Sequence, residues 1–194
     1  MCNFKSGIIL KNKVVLAEGG DESHSTILEK LKIEDNYFGA TKKFVRAELV
    51  PKDREWWVNP TDNPEHWRFI VDQDIVPEWF IPEVQEKIFR EAVYEWWSKH
   101  VLVDQKLDAL DSGYYMLKRS EVKKLCGDVK VLLGSSTVGK MWESSTVGEM
   151  LESSTVGEMW ESSTARDFKN WPQIKIYVSD TGKFELVAHK PKGD

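Results

Sequence analysis

Cys2 is the residue whose position lends itself most directly to covalent chemistry. Removal of Met1 ahead of so small a residue would leave a thiol beside a free α-amino group. An amine with a pKa near ~8 can serve as the base for its own side chain at neutral pH. Arg46 would then orient a substrate carboxylate, and Asn3 or His24 would donate to an oxyanion. The competing reading is a small apolar side chain at an ordinary N-terminus.

The opening resembles N-terminal-nucleophile amidohydrolases in one respect, a nucleophile directly before a strand. Elsewhere the titratable residues are less specific. His24, His66, His100 and His189 lack metal-ligand spacing. Asp72-Gln73-Asp74 reads either as paired carboxylates for acid–base work or as a turn before Pro77. No metal and no cofactor are expected. Two cysteines far apart in sequence imply a reducing compartment without a disulfide framework.

These residues need elements to hold them. Gly7-Ile8-Ile9-Leu10 and Val14-Val15-Leu16-Ala17 flank Lys11-Asn12-Lys13 as a hairpin. Asp21 to Ser25 caps a short helix running to Lys32. Phe44–Val50 alternates, with Phe44, Arg46, Glu48 and Val50 on one face and Val45, Ala47 and Leu49 on the other, and Trp67–Val71 makes a further strand. Residues 51–64 form a long loop. Pro82 starts a helix through Trp97, with Val84, Ile88, Phe89, Val93 and Trp96 on its apolar side. A second helix is expected over Asp104–Leu110, ended by Asp111-Ser112-Gly113. Six of the nine tryptophans, Trp56, Trp57, Trp67, Trp79, Trp96 and Trp97, lie in this middle segment. They predict either a dense aromatic core or an aromatic-lined pocket able to sequester a small nucleotide signal.

A nine-residue unit follows, Ser135-Ser136-Thr137-Val138-Gly139-Lys140-Met141-Trp142-Glu143, recopied from Ser144 and Ser153 and begun again at Ser162. As a helix it would scatter its Val/Met pairs over opposite faces and place a glycine in every copy, at roughly 1 kcal/mol each. As one strand and one turn it makes half a coil of a two-sided β-solenoid, so eighteen residues close a coil. The i,i+3 apolar pair extends back through Val129/Leu132 to Val122/Leu125 and forward to Ala165/Phe168, about three coils. Stacking at roughly 4.8 Å puts Cys126, Trp142 and Trp160 on one flank and Leu133, Leu151 and Lys169 on the other. Lys140 falls above Glu158, and Glu143 and Glu161 form a like-charge ladder. The unit lacks the Gly-Gly-x-Gly-x-Asp pattern of calcium-binding nonapeptides.

The fold class is therefore an α+β Trp-rich N-terminal domain (1–118), a short two-sided β-solenoid (119–170) and a C-terminal β-hairpin cap (171–194) built from Ile174–Val178 and Phe184–Val187. Net charge is −5, and no segment reads as a membrane span or signal peptide. Glu143, Glu149, Glu152, Glu158 and Glu161, with Trp142 and Trp160, give the solenoid an acidic, Trp-bearing wall. Such a wall suits a basic protein partner and disfavours direct nucleic-acid binding. The solenoid also offers a surface for a homo-oligomer.

From Gly7-Ile8-Ile9-Leu10 through Phe44-Val45-Arg46-Ala47-Glu48-Leu49 and Val71-Asp72-Gln73-Asp74-Ile75-Val76-Pro77 to Ser163-Thr164-Ala165-Arg166-Asp167-Phe168, the chain resembles tailed-phage and prophage accessory proteins with variable numbers of this nonapeptide. The resemblance implies a protein of the bacterial host cytoplasm, from a class in which antagonists of host defence are common. It carries no activity to particular residues. Three functions stay open: inhibition of a host factor that handles nucleic acid, a Cys2 amidohydrolase, and sequestration of a nucleotide signal.

Overall fold

The computed structural model describes residues 4–127, 129–151, 154–160, 162–165 and 177–178. The chain divides into two compact units, residues 1–99 and 100–194. In the first, β1 (Lys5–Leu10) and β2 (Lys13–Leu16) form the expected hairpin. Strand β3 (Phe44–Pro51) lies between β1 and β4 (Trp67–Val71), so the antiparallel order is β2-β1-β3-β4. The sheet is two-faced, as the alternation predicts. Ile8 and Phe44 pack on helix α1 (His24–Lys30) through Ile27 and Leu28. The opposite face meets α3 (Pro82–His100), so closely that a Cβ on Gly7 would stand 2.8 Å from Phe89 Cε2.

Helix α1 starts after Ser23, whose hydroxyl accepts from the Thr26 N–H. A short helix, α2 (Tyr37–Lys42), is not signalled by periodicity, since Tyr37 and Phe38 both face solvent. Asn36 caps it by accepting from the Gly39 N–H at 2.8 Å. Helix α3 begins at Pro82 as expected, but buries Gln85, Phe89 and Val93. Val84 and Ile88 are not on the covered side: they are 48% and 41% exposed. The i,i+4 row faces the sheet, while Ile81, Val84 and Ile88 form a second apolar row.

The second unit contains a β-solenoid of about three turns at residues 101–159. One parallel sheet holds β5 (Val101–Val103), β7 (Gly113–Lys118), β9 (Val129–Gly134), β11 (Thr146–Leu151) and β13 (Thr164–Ala165). The other holds β6 (Lys106–Leu110), β8 (Glu121–Leu125), β10 (Thr137–Met141), β12 (Thr155–Met159) and β14 (Tyr177–Val178). Two expectations are corrected here. Lys106–Leu110 is a strand and not part of a helix, because Leu107 and Leu110 lie in register with Val122 and Leu125. An i,i+3 pair fits a helix and a half-coil alike, and pairing with β8 selects the half-coil. The solenoid therefore starts at Val101, inside the segment assigned to residues 1–118.

Register within the repeat follows the eighteen-residue step, Thr137 on Thr155, Val138 on Val156, Lys140 on Glu158 and Met141 on Met159. Earlier coils are shorter: Val138 pairs with Val122, and Val122 with Leu107. On the other sheet Val131, rather than Val129, lies in register with Val147, followed by an irregularity before Glu149. Val122, Leu125, Val131, Val138, Met141, Val147, Met150, Val156 and Met159 fill the core.

The second serine of each Ser-Ser-Thr is buried at a corner. Ser136 Oγ donates to Gly134 O at 3.1 Å and accepts from the Ser120 N–H at 3.0 Å, and the Ser136 N–H in turn reaches Ser154 Oγ at 3.3 Å. Ser135 before Ser136, and Arg119 before Ser120 one coil earlier, turn the chain through the left-handed region, both at φ 50°, whereas at the Ser145 corner that conformation falls on Glu143, φ 55°. Of the expected C-terminal hairpin, Tyr177–Val178 is described and runs parallel to β12. The remaining residues of 171–194 lie outside the described residues.

Gly139, Gly148 and Gly157 hold one place in the repeat but different places in the structure. A Cβ on Gly157 would sit 2.6 Å from Gly139 O, and one on Gly139 2.7 Å from Lys123 O, whereas at Gly148 the nearest atom is 3.8 Å away. Gly139→Ala and Gly157→Ala should each cost about 1–3 kcal/mol in urea unfolding, and Gly148→Ala less than about 0.5 kcal/mol. Equal costs at all three positions would contradict this packing.

Candidate functional site

Of the residues proposed for covalent chemistry, Cys2 and Asn3 lie outside the described residues. Arg46 projects from the α1 face of β3, pairs with Asp35 and lies 5.0 Å from the Phe44 ring. Its charge is committed within the fold. His24, the first residue of α1, is buried, with Nε2 3.2 Å from Ala47 O and Nδ1 3.4 Å from Asp72 Oδ2. Glu48, buried on β3, offers a third donor, and atoms of His24, Glu48 and Asp72 all lie within 4.8 Å of one another. Sequence spacing does not reveal this group, because its members sit on a helix, a central strand and a strand end. The alternation of Arg46 and Glu48 on the polar side of β3 was the available signal.

The same unit buries an ion pair. Lys5 is fully buried; its Nζ donates to Ala17 O at 2.7 Å and to Glu22 Oε1 at 2.8 Å, and lies 4.0 Å from the Trp96 ring centroid. Glu22 Oε2 accepts from the Ser6 N–H at 2.8 Å. Burial dominates both titrations, lowering the Lys5 pKa and raising that of Glu22 against their mutual attraction. With Lys5 Nζ held by Ala17 O and Glu22 and one Glu22 oxygen held by the Ser6 N–H, the pair fixes β1 to the segment before α1.

Of the middle tryptophans two are core and Trp57, Trp79, Trp96 and Trp97 are half-buried. Trp56 and Trp67 are buried; Phe4 meets Trp67 and Trp96 edge-on at 5.0 and 6.0 Å. Trp67 Nε1 donates to Val58 O, Trp97 Nε1 to Trp56 O and Trp79 Nε1 to Lys42 O. The first two bonds pin the long loop after β3. Three clefts in this unit, beside His24, beside Leu16 and beside His66, have no tryptophan in their walls.

On the solenoid, Trp142 and Trp160 stack with centroids 5.0 Å apart and planes 3° from parallel. Lys124 Nζ lies 5.0 Å from the Trp142 ring, and Trp160 Nε1 donates to Glu158 Oε2. Glu158 also pairs with Lys140 at 3.0 Å, and the hydrogen bonds from Lys140 and Trp160 hold its carboxyl below the ordinary pKa. Lys123–Asp108 and Lys106–Glu121 continue the pattern, so this sheet bears charge of both signs. Glu143 is exposed at a corner with φ 55°. Glu149 lies on β11 without a described side chain; Glu152 and Glu161 are outside the described residues.

One feature was missed in sequence, an apolar surface on the first unit. Ile75, Val76, Ile81, Val84 and Ile88 are all exposed, as are Tyr37 and Phe38. Two bonds tie the segment before α3 to α2, Trp79 Nε1 donating to Lys42 O and Gln73 Nε2 to Ala40 O at 3.2 Å. The Ile81/Val84/Ile88 spacing is visible in sequence, but only the competing Gln85/Phe89/Val93 row shows which side is covered.

No family model, curated protein or solved structure matches the chain. Among the described residues no helix is long and apolar enough to cross a membrane.

The Lys5–Glu22 pair yields a test. Lys5→Met alone should lower stability by about 3–5 kcal/mol, because it strands a buried carboxylate, while Lys5→Met with Glu22→Gln should recover much of that loss. Additive losses in a double-mutant cycle would show that the two groups are not coupled.

Proposed function

We propose that this chain is an accessory protein of phage type that binds and inhibits a basic, nucleic-acid-handling factor in the cytoplasm of a bacterial host. In this reading residues of the α+β N-terminal domain present the binding surface. The observation that carries the proposal is the exposed apolar row Ile81, Val84 and Ile88 with neighbouring Ile75 and Val76. Between residues 72 and 91 this row is accompanied by Asp72, Asp74, Glu78, Glu83, Glu86 and Glu91 against Lys87 and Arg90. Exposed aliphatic side chains on a segment with an excess of acidic residues suit a partner whose Lys and Arg otherwise meet phosphate.

The acidic wall of Glu143, Glu149, Glu152, Glu158 and Glu161 with Trp142 and Trp160 is the alternative surface. Its weight is reduced because Lys140 and Lys124 already answer Glu158 and Trp142. Beside the helix row Glu86 pairs with Arg90 and Glu78 with Lys42, but the aliphatic side chains Ile81, Val84 and Ile88 are themselves exposed. Burial of three aliphatic side chains on binding is worth about 1.5–3 kcal/mol each before ordering costs.

With the full-length chain as bait in host lysate, wild type should retain a basic protein, and Ile81→Asp with Ile88→Asp should retain at least about tenfold less. Both sites are exposed, so circular dichroism should show the variant folded. Deletion of residues 144–161, which removes one coil in register, should leave capture intact. Adding wild type should release nucleic acid from the captured protein. Capture that survives the helix substitutions, or that disappears with the coil, would move the surface to the solenoid; a partner whose nucleic-acid binding is unchanged would refute inhibition.

A further inference from the structure

We propose that His24, Glu48 and Asp72 form a binding site for a divalent first-row transition-metal ion. The inference begins with the tautomer of His24. Ala47 O can only accept, so the ring nitrogen 3.2 Å from it, Nε2, carries a proton. In the neutral ring Nδ1 then presents a lone pair to Asp72 Oδ2 at 3.4 Å. Two acceptors at that distance repel unless a proton or a metal ion lies between them, and a metal ion is the one of the two that can also engage Glu48.

Glu48 supplies the independent observation. It is 7% exposed, its carboxylate belongs to the group whose donor atoms lie within 4.8 Å of one another, and it has no hydrogen bond or ion pair among the described residues. An unanswered buried carboxylate is costly, and such groups are ordinarily paired or metal-bound. The cations of this region are engaged elsewhere, Arg46 with Asp35 and Lys5 with Glu22. The fold thus brings a buried carboxylate, Glu48, and an exposed one, Asp72, to one place beside a ring nitrogen.

The donor set identifies the class of ion. One imidazole nitrogen and two carboxylate oxygens suit Mn²⁺, Fe²⁺ or Zn²⁺, whereas Ca²⁺ and Mg²⁺ favour oxygen alone. Ligands at about 2.1 Å from a shared ion lie roughly 3–3.5 Å from each other, which the Nδ1–Oδ2 separation satisfies. Asp72 is 58% exposed and free to rotate for the remaining adjustment. Three protein ligands leave coordination positions for water or an oxyanion entering from the adjoining cleft of about 570 Å³, lined by Gly20, Glu22, Ser23, Ser25 and Arg46.

The test uses the full chain stripped with a chelator and titrated with Mn²⁺ and Zn²⁺. One ion should bind per chain and raise the melting temperature, and Asp72→Asn and Glu48→Gln should each weaken the Kd at least about tenfold. Mn²⁺ should broaden the His24 ring resonances before those of His66, His100 or His189. Without metal, Glu48→Gln should melt no lower than wild type, because it removes a buried charge. The proposal is overturned if neither ion binds, if both substitutions leave the Kd unchanged, or if broadening begins at another histidine. Asp72 is at the surface, so Asp72→Asn decides the matter even if Glu48→Gln fails to fold.

Discussion

The constraint on which the solenoid depends is parallel pairing of each coil with the next. Strands at a spacing of about 4.8 Å place every residue against its counterpart one coil away, so each side chain must be compatible with its own repeat. Valine and methionine meet this condition in a dry core, and threonine meets it through its hydroxyl, Thr155 Oγ1 donating to Thr137 Oγ1 at 3.1 Å. Tryptophan meets it by flat stacking. Carboxylates do not, and the described exceptions show how the conflict is relieved. Lys140 replaces glutamate in the first copy and so faces Glu158 instead of a like charge. The buried corner serines answer the same demand for the backbone, supplying a hydroxyl where the strand ladder is interrupted.

The first unit is held differently. Its central strand β3 is covered on both sides, by α1 and by α3, and both layers contain polar groups that must find partners. Indole N–H groups end on loop carbonyls, and Lys5 meets Ala17 O, Glu22 and the Trp96 face together. Such arrangements restrict the chain to one register, since slipping β1 by one residue would carry Lys5 out of the pocket that neutralises it. Stability and uniqueness here rest on a few specific contacts rather than on repetition.

How much of this was legible follows from that contrast. The repeat announces its half-coil directly, and Lys140 above Glu158 and Trp142 beside Trp160 can be read from spacing alone. The degenerate coils were harder. Leu107/Leu110 has a spacing shared by helices, and its Lys-Leu-Asp-Ala-Leu sequence lacks the Ser-Ser-Thr corner that marks the later copies. In the first unit the hairpin and the alternation of β3 were readable because local period encodes them. The grouping of His24, Glu48 and Asp72 was not, since it depends on where α1 lands over β3, a tertiary fact with no local period.

The two units also differ in what they leave uncovered. In the solenoid the inward position of each half-coil is fixed by pairing, and apolar residues placed there are buried together. All the exposed large hydrophobic side chains among the described residues, from Tyr37 to Ile88, belong to the first unit. Helix α3 covers one row, Gln85, Phe89 and Val93, against the sheet, and a single sheet leaves the apolar row on its other side uncovered. Covering Gln85, Phe89 and Val93 accounts for the fold, so Ile81, Val84 and Ile88 are surplus to it. A surplus row next to a charged border, on an element already fixed by its other face, is a rigid platform for association. On the solenoid the described pairs Lys140–Glu158, Lys123–Asp108 and Lys106–Glu121 set charge against charge, and none of the exposed large hydrophobic side chains among the described residues lies there. That difference, rather than the repetition of the nonapeptide, is why the proposed recognition surface is placed on the first unit.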